Sequence, residues 1–197
     1  MKERTFEQRY QENDIPWDRD HADYNLINIV EDVPLDPCTV LDLGCGTGIN
    51  SIWLAKHDFK VTGLDLSPTA IAKAKERASS EHLDIDFLAD DFLQAELAGD
   101  FDLVFDRGCF HCIDSEDDKI KFAKKVAANL NNDGLWLSMI GNADDVAREV
   151  GPPTMSAAEI CRVVEPHFTI LSLTAGYFGG EQSDPPKAWI GVMKKRC

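Results

Sequence analysis

Short apolar runs alternate along this chain with longer stretches of helical spacing. Val40-Leu41-Asp42-Leu43 reads as a buried strand over 39–43, which turns through glycines into a helical pattern from Ile49 to His57. Before it, Leu26-Ile27-x-Ile29-Val30 suits a helix over 26–36, ended by Pro34 and Pro37. Lys60 to Leu64 alternates as a second strand that ends at Asp65. Ser67-Pro68 pairs an N-cap residue with a proline at the first helical position, opening an Ala- and Lys-rich helix that runs to 79. Ile85–Ala89 is a third strand, closed by Asp90-Asp91-Phe92, and Phe101–Phe105 a fourth, closed by Asp106. Ser115 caps a long helix to Leu130, which Asn132-Asp133-Gly134 should stop.

Leu135–Ile140 is a fifth strand and Gly151-Pro152-Pro153 a rigid turn. Ser156-x-x-Glu159 is a capping box that opens a further helix. Phe168–Ala175 and Ala188–Met193 are the last strands, joined as an antiparallel hairpin through Phe178-Gly179-Gly180 and Pro185-Pro186. Strand–helix alternation predicts an α/β, doubly wound, Rossmann-like sheet. The terminal hairpin makes that sheet seven-stranded and mostly parallel, with an antiparallel C-terminal strand. A single domain over 1–197 follows, with its Rossmann-like core at 38–197.

The chain has 197 residues and a formal charge of −15, which argues against a broad electrostatic grip on nucleic acid. It opens on charged residues without the apolar core of a signal peptide, and no apolar run approaches a membrane span. Cysteines 38, 45, 109, 112, 161 and 197 are scattered, as expected of reduced thiols in a cytoplasmic protein. The expected assembly is a monomer or weak dimer. Residues 1–25 mix Phe6, Tyr10, Trp17 and Tyr24 with many charges. They suit either a helix packed on the domain or a lid over a ligand, with Trp17 offering an aromatic face to a cation.

In such sheets ligands bind at the carboxyl ends of the strands. The glycines of Asp42-Leu43-Gly44-Cys45-Gly46-Thr47-Gly48 let backbone N–H groups and a helix N-terminus approach a ligand closely. The spacing is G-x-G-x-G, with Ile49 where a dinucleotide site wants its third glycine. A carboxylate at Asp42 suits a cationic or amine-bearing ligand and would repel a pyrophosphate. Asp65 ends the second strand about 20 residues past the glycines, the usual spacing for a ribose contact. Asp91, or its neighbour Asp90, ends the third strand, and Phe92 then follows as a candidate wall.

These residues carry a resemblance over nearly the whole chain. The Gly44–Gly48 loop, Gly63-Leu64-Asp65-Leu66-Ser67, Asp91-Phe92 and Phe101-Asp102-Leu103-Val104-Phe105-Asp106 look like the successive motifs of class I S-adenosylmethionine-dependent methyltransferases. Pro16-Trp17-Asp18 and Gly151-Pro152-Pro153 resemble segments of the thiopurine and halide/thiol methyltransferase group, which implies that residues 1–25 are a lid over the cofactor and that the segment after the fifth strand helps wall the substrate. Gly48-Ile49-Asn50-Ser51 is similar to tellurite-resistance methyltransferases, which usually carry arginine at the position of Ile49. Arg107-Gly108-Cys109-Phe110-His111 departs from the thiol enzymes' usual sequence.

The resemblance implies S-adenosyl-L-methionine as cofactor and methyl transfer to a small-molecule acceptor, a thiol or other soft nucleophile. The implied cofactor residues are Trp17, Asp42, Gly44, Gly46, Asp65, Leu66, Asp91, Phe92 and Asp106. Arg107, Cys109, Phe110 and Pro152 are implied at the acceptor pocket. His111 is the candidate general base, because an unperturbed imidazole suits proton transfer. Cys109-x-x-Cys112 with His111 has no second Cys/His pair, so a pocket wall or buried thiols are expected there, and no metal.

Alternatives are an O, N or metalloid acceptor such as tellurite, a nicotinamide-dependent oxidoreductase, and a non-catalytic binding module. No (D/N)-P-P-(Y/F/W) follows the fourth strand, and Pro37-Cys38 lies ahead of the first. Both absences argue against the nucleic-acid methylating classes.

Overall fold

The computed structural model describes residues 4–32, 35–97, 99–144, 152–179 and 185–196. The strands are β1 (Thr39–Leu43), β2 (Lys60–Asp65), β3 (Asp86–Ala89), β4 (Phe101–Arg107), β5 (Leu130–Gly141), β6 (Phe168–Tyr177) and β7 (Lys187–Lys195). They form one seven-stranded sheet in the order β3-β2-β1-β4-β5-β7-β6. β7 lies antiparallel to both neighbours, β5 and β6. The other pairings from β3 to β5 are parallel. The order reverses between β1 and β4, where the two crossovers diverge and leave a crevice at the strand ends.

Helices α1 (Phe6–Gln11), α2 (Tyr24–Asp32), α3 (Ile49–Lys56), α4 (Pro68–Ser80), α5 (Glu116–Asn129) and α6 (Ala157–Val164) accompany the sheet. The central strands are buried on both faces, and their period of two divides the core. Leu41, Val104, Trp136 and Ile140 face one layer, with Phe122 and Ile160. Val40, Leu103, Phe105, Leu137 and Met139 face the other, with Leu26 and Leu54.

The expected caps are present. Ser67 and Ser115 accept from backbone N–H groups at their helix starts. Ser156 and Glu159 form the reciprocal box at α6. A second such box, Thr5 with Gln8, starts α1 and had not been expected.

Several boundaries differ from expectation. α2 begins at Tyr24, not 26, because the Asp23 side chain accepts from the Asn25 backbone N–H at 3.0 Å and starts the helix early. Its expected end at Pro34 lies outside the described residues. β3 starts at Asp86, and β4 continues through Asp106 and Arg107. α5 ends at Asn129, where Leu130 turns extended and pairs with Phe101. Gly134 is therefore no helix stop: Asn132-Asp133-Gly134 lies within β5. Of the 151–153 turn, Gly151 lies outside the described residues, as do 180–184 of the hairpin loop.

Gly63 in β2 stands opposite Phe87, and a Cβ there would lie 2.6 Å from the Phe87 ring. Gly63→Ala should therefore overpack the site and cost ~1–3 kcal/mol. Urea unfolding should show a lower midpoint at unchanged slope, whereas an unchanged midpoint would mean the ring yields freely.

Candidate active site

The turn after β1 is built by three glycines with φ of 65°, 55° and 82° at Gly44, Gly46 and Gly48. Side chains rarely adopt that region, so the loop depends on glycine. Gly44 and Cys45 donate to the Leu64 carbonyl at 2.8 and 3.1 Å, pinning the loop to the end of β2. Asp65 completes the tie: it accepts from Gly46 N at 2.9 Å and from Ser67 N at 2.8 Å. Burial raises its pKa, with these amides pulling the other way.

Asp42 is 1% exposed and accepts from Ser51 Oγ at 2.5 Å. Burial pushes its pKa up to about 7. Among the described residues neither Asp42 nor Asp65 has a cationic side-chain partner. Buried carboxylates in that condition favour a ligand that brings positive charge and hydroxyl donors.

The N-terminal segment covers this loop. The Tyr10 hydroxyl lies 2.8 Å from where a Gly46 Cβ would stand, and it accepts from Trp17 Nε1 at 3.0 Å. Thr47 Oγ1 donates to Asp18 at 2.6 Å and accepts from Arg77 at 2.7 Å. Glu7 reaches the start of α4, accepting from Ser67 Oγ at 2.5 Å and Thr69 Oγ1 at 2.6 Å. These bonds hold its pKa below the usual carboxylate range.

Arg107, at the end of β4, is the centre of the opposite wall. Its Nε pairs with Asp23 at 2.6 Å, and its other nitrogens donate to the carbonyls of Trp17 at 3.4 Å and Gly179 at 3.1 Å. The resulting cleft is lined by Tyr10, Trp17, Gly44, Gly46, Asn50 and Arg107, among others.

Trp17, Gly44, Gly46 and Arg107 of the expected site thus come together there. Cys109 packs on Gly44, its Cβ 2.9 Å from where a glycine Cβ would stand, and burial keeps its thiol protonated well above the ordinary range. Leu66 is 64% exposed beside Asp65, and Asp91 is exposed at the end of β3, accepting from Leu93 N at 2.9 Å.

Other residues are placed elsewhere. Phe92 was expected as a wall, but its ring lies in the core 4.8 Å from Phe122. Phe110 is fully buried against Phe122 and Trp136. Asp106 is fully buried as well. Its Oδ1 accepts from Cys109 N at 2.8 Å and Phe110 N at 2.9 Å, and its Oδ2 meets Ser138 Oγ, so it holds the turn after β4. Burial raises it to about 6. Pro152 is half-buried in the segment that runs to the Met155–Asn142 bridge at the end of β5.

His111, the candidate base, is 4% exposed, and its Nδ1 accepts from Gly141 N at 2.7 Å. The ring is therefore neutral with its proton on Nε2, and its lone pair is already used. Burial, then Lys119 and Arg107, lower its pKa to about 4. Asp23, Thr47 and Asn50 had not been expected at the site, whereas Tyr10 and Asp18 belong to the segment expected as a possible cover.

No cluster of three or more His, Cys, Asp or Glu among the described residues could hold a metal ion, and no described helix is long and apolar enough to cross a membrane. Cys38, Cys45, Cys109, Cys112 and Cys161 are free thiols.

Comparison with known proteins adds a family. A family sequence model described as thiopurine S-methyltransferase matches residues 1–183. Three uncharacterized methyltransferases of Schizosaccharomyces pombe are each 44% identical over 79 residues, or 40% of this chain. The match covers 54% of each, so the chain spans about half the length of these curated relatives. A probable thiol methyltransferase of Arabidopsis thaliana is 29% identical over 164 residues, 82% of this chain and 71% of that one. The solved N-methyltransferase NodS of Bradyrhizobium japonicum WM9, in complex with S-adenosyl-L-homocysteine, superposes with a TM-score of 0.77. At 19% identity over 96% of this chain and 97% of that one, it shares the fold.

The buried neutral His111 has a measurable consequence. Unfolded, the ring titrates near ~6.5. Folded, it titrates near about 4. Its contribution is fully present above ~6.5 and is lost as pH falls toward the folded value, on the order of 3 kcal/mol in all. His111→Asn keeps an acceptor for Gly141 N–H but does not titrate. The stability difference between native protein and variant, from urea unfolding at pH 7.5 and 4.5, should shrink with acid. Asp42 and Asp106 slope the opposite way but are common to both proteins. A constant difference would place the ring in water.

Proposed function

The chain belongs to the thiopurine S-methyltransferase family, and we propose that it transfers the methyl group of S-adenosyl-L-methionine to a small soft acceptor, a thiol first. The observation that carries this is the pair of buried carboxylates, Asp42 and Asp65, which among the described residues have no cationic partner, beside a glycine loop and an aromatic cover. That donor set fits a cofactor carrying an ammonium, a sulfonium and ribose hydroxyls. Asp65 would hold the ribose hydroxyls, and Asp42, with Ser51, would face the methionine end. Leu66 and Asp91 would border the adenine.

The bound cofactor supplies a methyl group already activated on a sulfonium. The chain's own residues then have to align an acceptor and keep out water. No dedicated base is needed for a thiol, whose pKa near ~8.5 leaves some thiolate at neutral pH. His111 suits a positioning role, because accepting a proton would cost it the Gly141 bond. Cys109 stays protonated and so competes poorly as a nucleophile.

Residues 1–25 act in this reading as a cover. Among residues 4–20 only Tyr10 is buried, and the other contacts with the body are mainly polar. Little apolar burial offsets the entropy of ordering such a segment.

Three experiments test the reading. Incubation with S-adenosylmethionine and a panel of small thiols, oxygen and nitrogen acceptors and tellurite should release S-adenosylhomocysteine fastest with thiols. Asp65→Ala should weaken S-adenosylhomocysteine binding by ~1–3 kcal/mol in calorimetric titration. Unchanged affinity in the folded variant removes Asp65 from the site. Deleting residues 1–20 should leave the melting temperature of the free protein nearly unchanged while abolishing turnover. A large loss of stability would instead make the segment a brace.

A further inference from the structure

We infer that Asp23 sets acceptor selectivity: by neutralising Arg107 it disposes the cleft toward acceptors that carry no fixed negative charge beyond the reacting atom. This rests on the methyl-transfer reading and narrows its substrate class.

The pair is unusually constrained. Asp23 and Arg107 side chains are 1% and 13% exposed, with Nε and Oδ2 2.6 Å apart. The same Oδ2 accepts from Gly179 N at 2.7 Å, and Oδ1 accepts from Asn25 N at 3.0 Å and Asn25 Nδ2 at 2.8 Å. The Asp23 backbone N–H donates to Asn50 Oδ1 at 3.0 Å, in the first turn of α3. With four donors on one carboxylate and its backbone fixed, Asp23 cannot turn away from Arg107. The guanidinium is held from its other side by the Trp17 and Gly179 carbonyls and lies 5.4 Å from the Phe178 ring. Arg107 therefore lines the cleft as a polar plane of N–H groups whose charge is already matched.

The other charged or titratable groups that line the cleft are Asp18, Arg19 and His21. Asp18 is paired with Arg77 at 3.4 Å and bonded to Thr47. Arg19 has an interaction partner of its own. His21 Nδ1 lies 3.0 Å from the Ala22 carbonyl. An acceptor bearing a carboxylate would lose water and find Arg107 already matched. A neutral aromatic thiol meets no such cost and could still lie against the N–H plane. A matched buried pair of this kind discriminates by what it withholds.

The test uses benzenethiol, 4-mercaptobenzoate and the methyl ester of the latter, which separates charge from size. Native protein should use benzenethiol and the ester with comparable kcat/KM and the acid at least about tenfold less well, the scale of one uncompensated charge contact. In Asp23→Asn the side chain keeps its shape while Arg107 becomes a free cation. The acid's disadvantage should shrink at least about tenfold, chiefly through its KM, a shift in ratio that mere structural damage would not produce.

Native protein that uses the acid as well as the ester overturns the inference without any variant, as does a folded Asp23→Asn with an unchanged ratio. Should Asp23→Asn not fold, the acid-to-ester ratio of the native protein decides. If no thiol is turned over and S-adenosylhomocysteine does not bind, the methyl-transfer reading falls and this inference with it. Turnover with no charge preference removes the inference alone.

Discussion

A carboxylate taken out of water must find donors or a counter-charge, and four such groups organise this protein. Asp106 is satisfied within the chain, by the turn amides after β4 and by Ser138, and it makes a rigid floor. Asp65 is partly satisfied, by Gly46 and Ser67, and so couples the glycine loop to β2. Among the described residues Asp42 has only Ser51, and it titrates near neutrality. Asp23 is matched by Arg107. The order from complete to incomplete satisfaction runs from scaffold to site. The groups that the chain leaves least provided for are those a cationic cofactor would complete.

The same constraint explains the walls of the cleft. Asp23 joins the start of α2, the end of β4, the first turn of α3 and the strand β6 exit at Gly179. A Cβ on Gly179 would stand 2.6 Å from that carboxylate, so the backbone has to be glycine where it passes. The cover uses weaker versions of this device: Glu7 at the start of α4, and Asp18 on Thr47 and Arg77. Its polar ties break and re-form in water more readily than an apolar seam would, which fits the proposed role of this segment as a cover that admits a ligand.

Much of this was legible in the sequence, for local reasons. The strands were readable because the central sheet is buried on both faces and the glycine turns punctuate it. The antiparallel hairpin was readable from two strands separated by Gly and Pro residues. The Gly44–Gly48 loop and Asp65 carried their own spacing. What escaped depends on contacts between distant segments. Asp23 looks like any surface charge until β4 and β6 are placed beside it. Phe92 and Phe110 adjoin site residues in sequence, but their rings fall on the core side of the turns that carry them. His111 has the right chemistry in isolation, and only the amide of Gly141 shows that its lone pair is taken. The end of α5 was misplaced because Leu130 is drawn into pairing with Phe101 before Asn132-Asp133-Gly134 can act.

The bond between Asp23 and Gly179 spans 156 residues. During synthesis, the N-terminal segment and the glycine loop emerge long before β6 and β7. Until the terminal hairpin is laid against β5, Asp23 lacks one of its four donors and Arg107 lacks the Gly179 carbonyl. A ribosome-bound chain therefore carries the loop and strands for ligand binding without the walled cleft. The strand pair made after the other described strands also completes the wall, so a nascent chain cannot finish this candidate site before that pair has emerged.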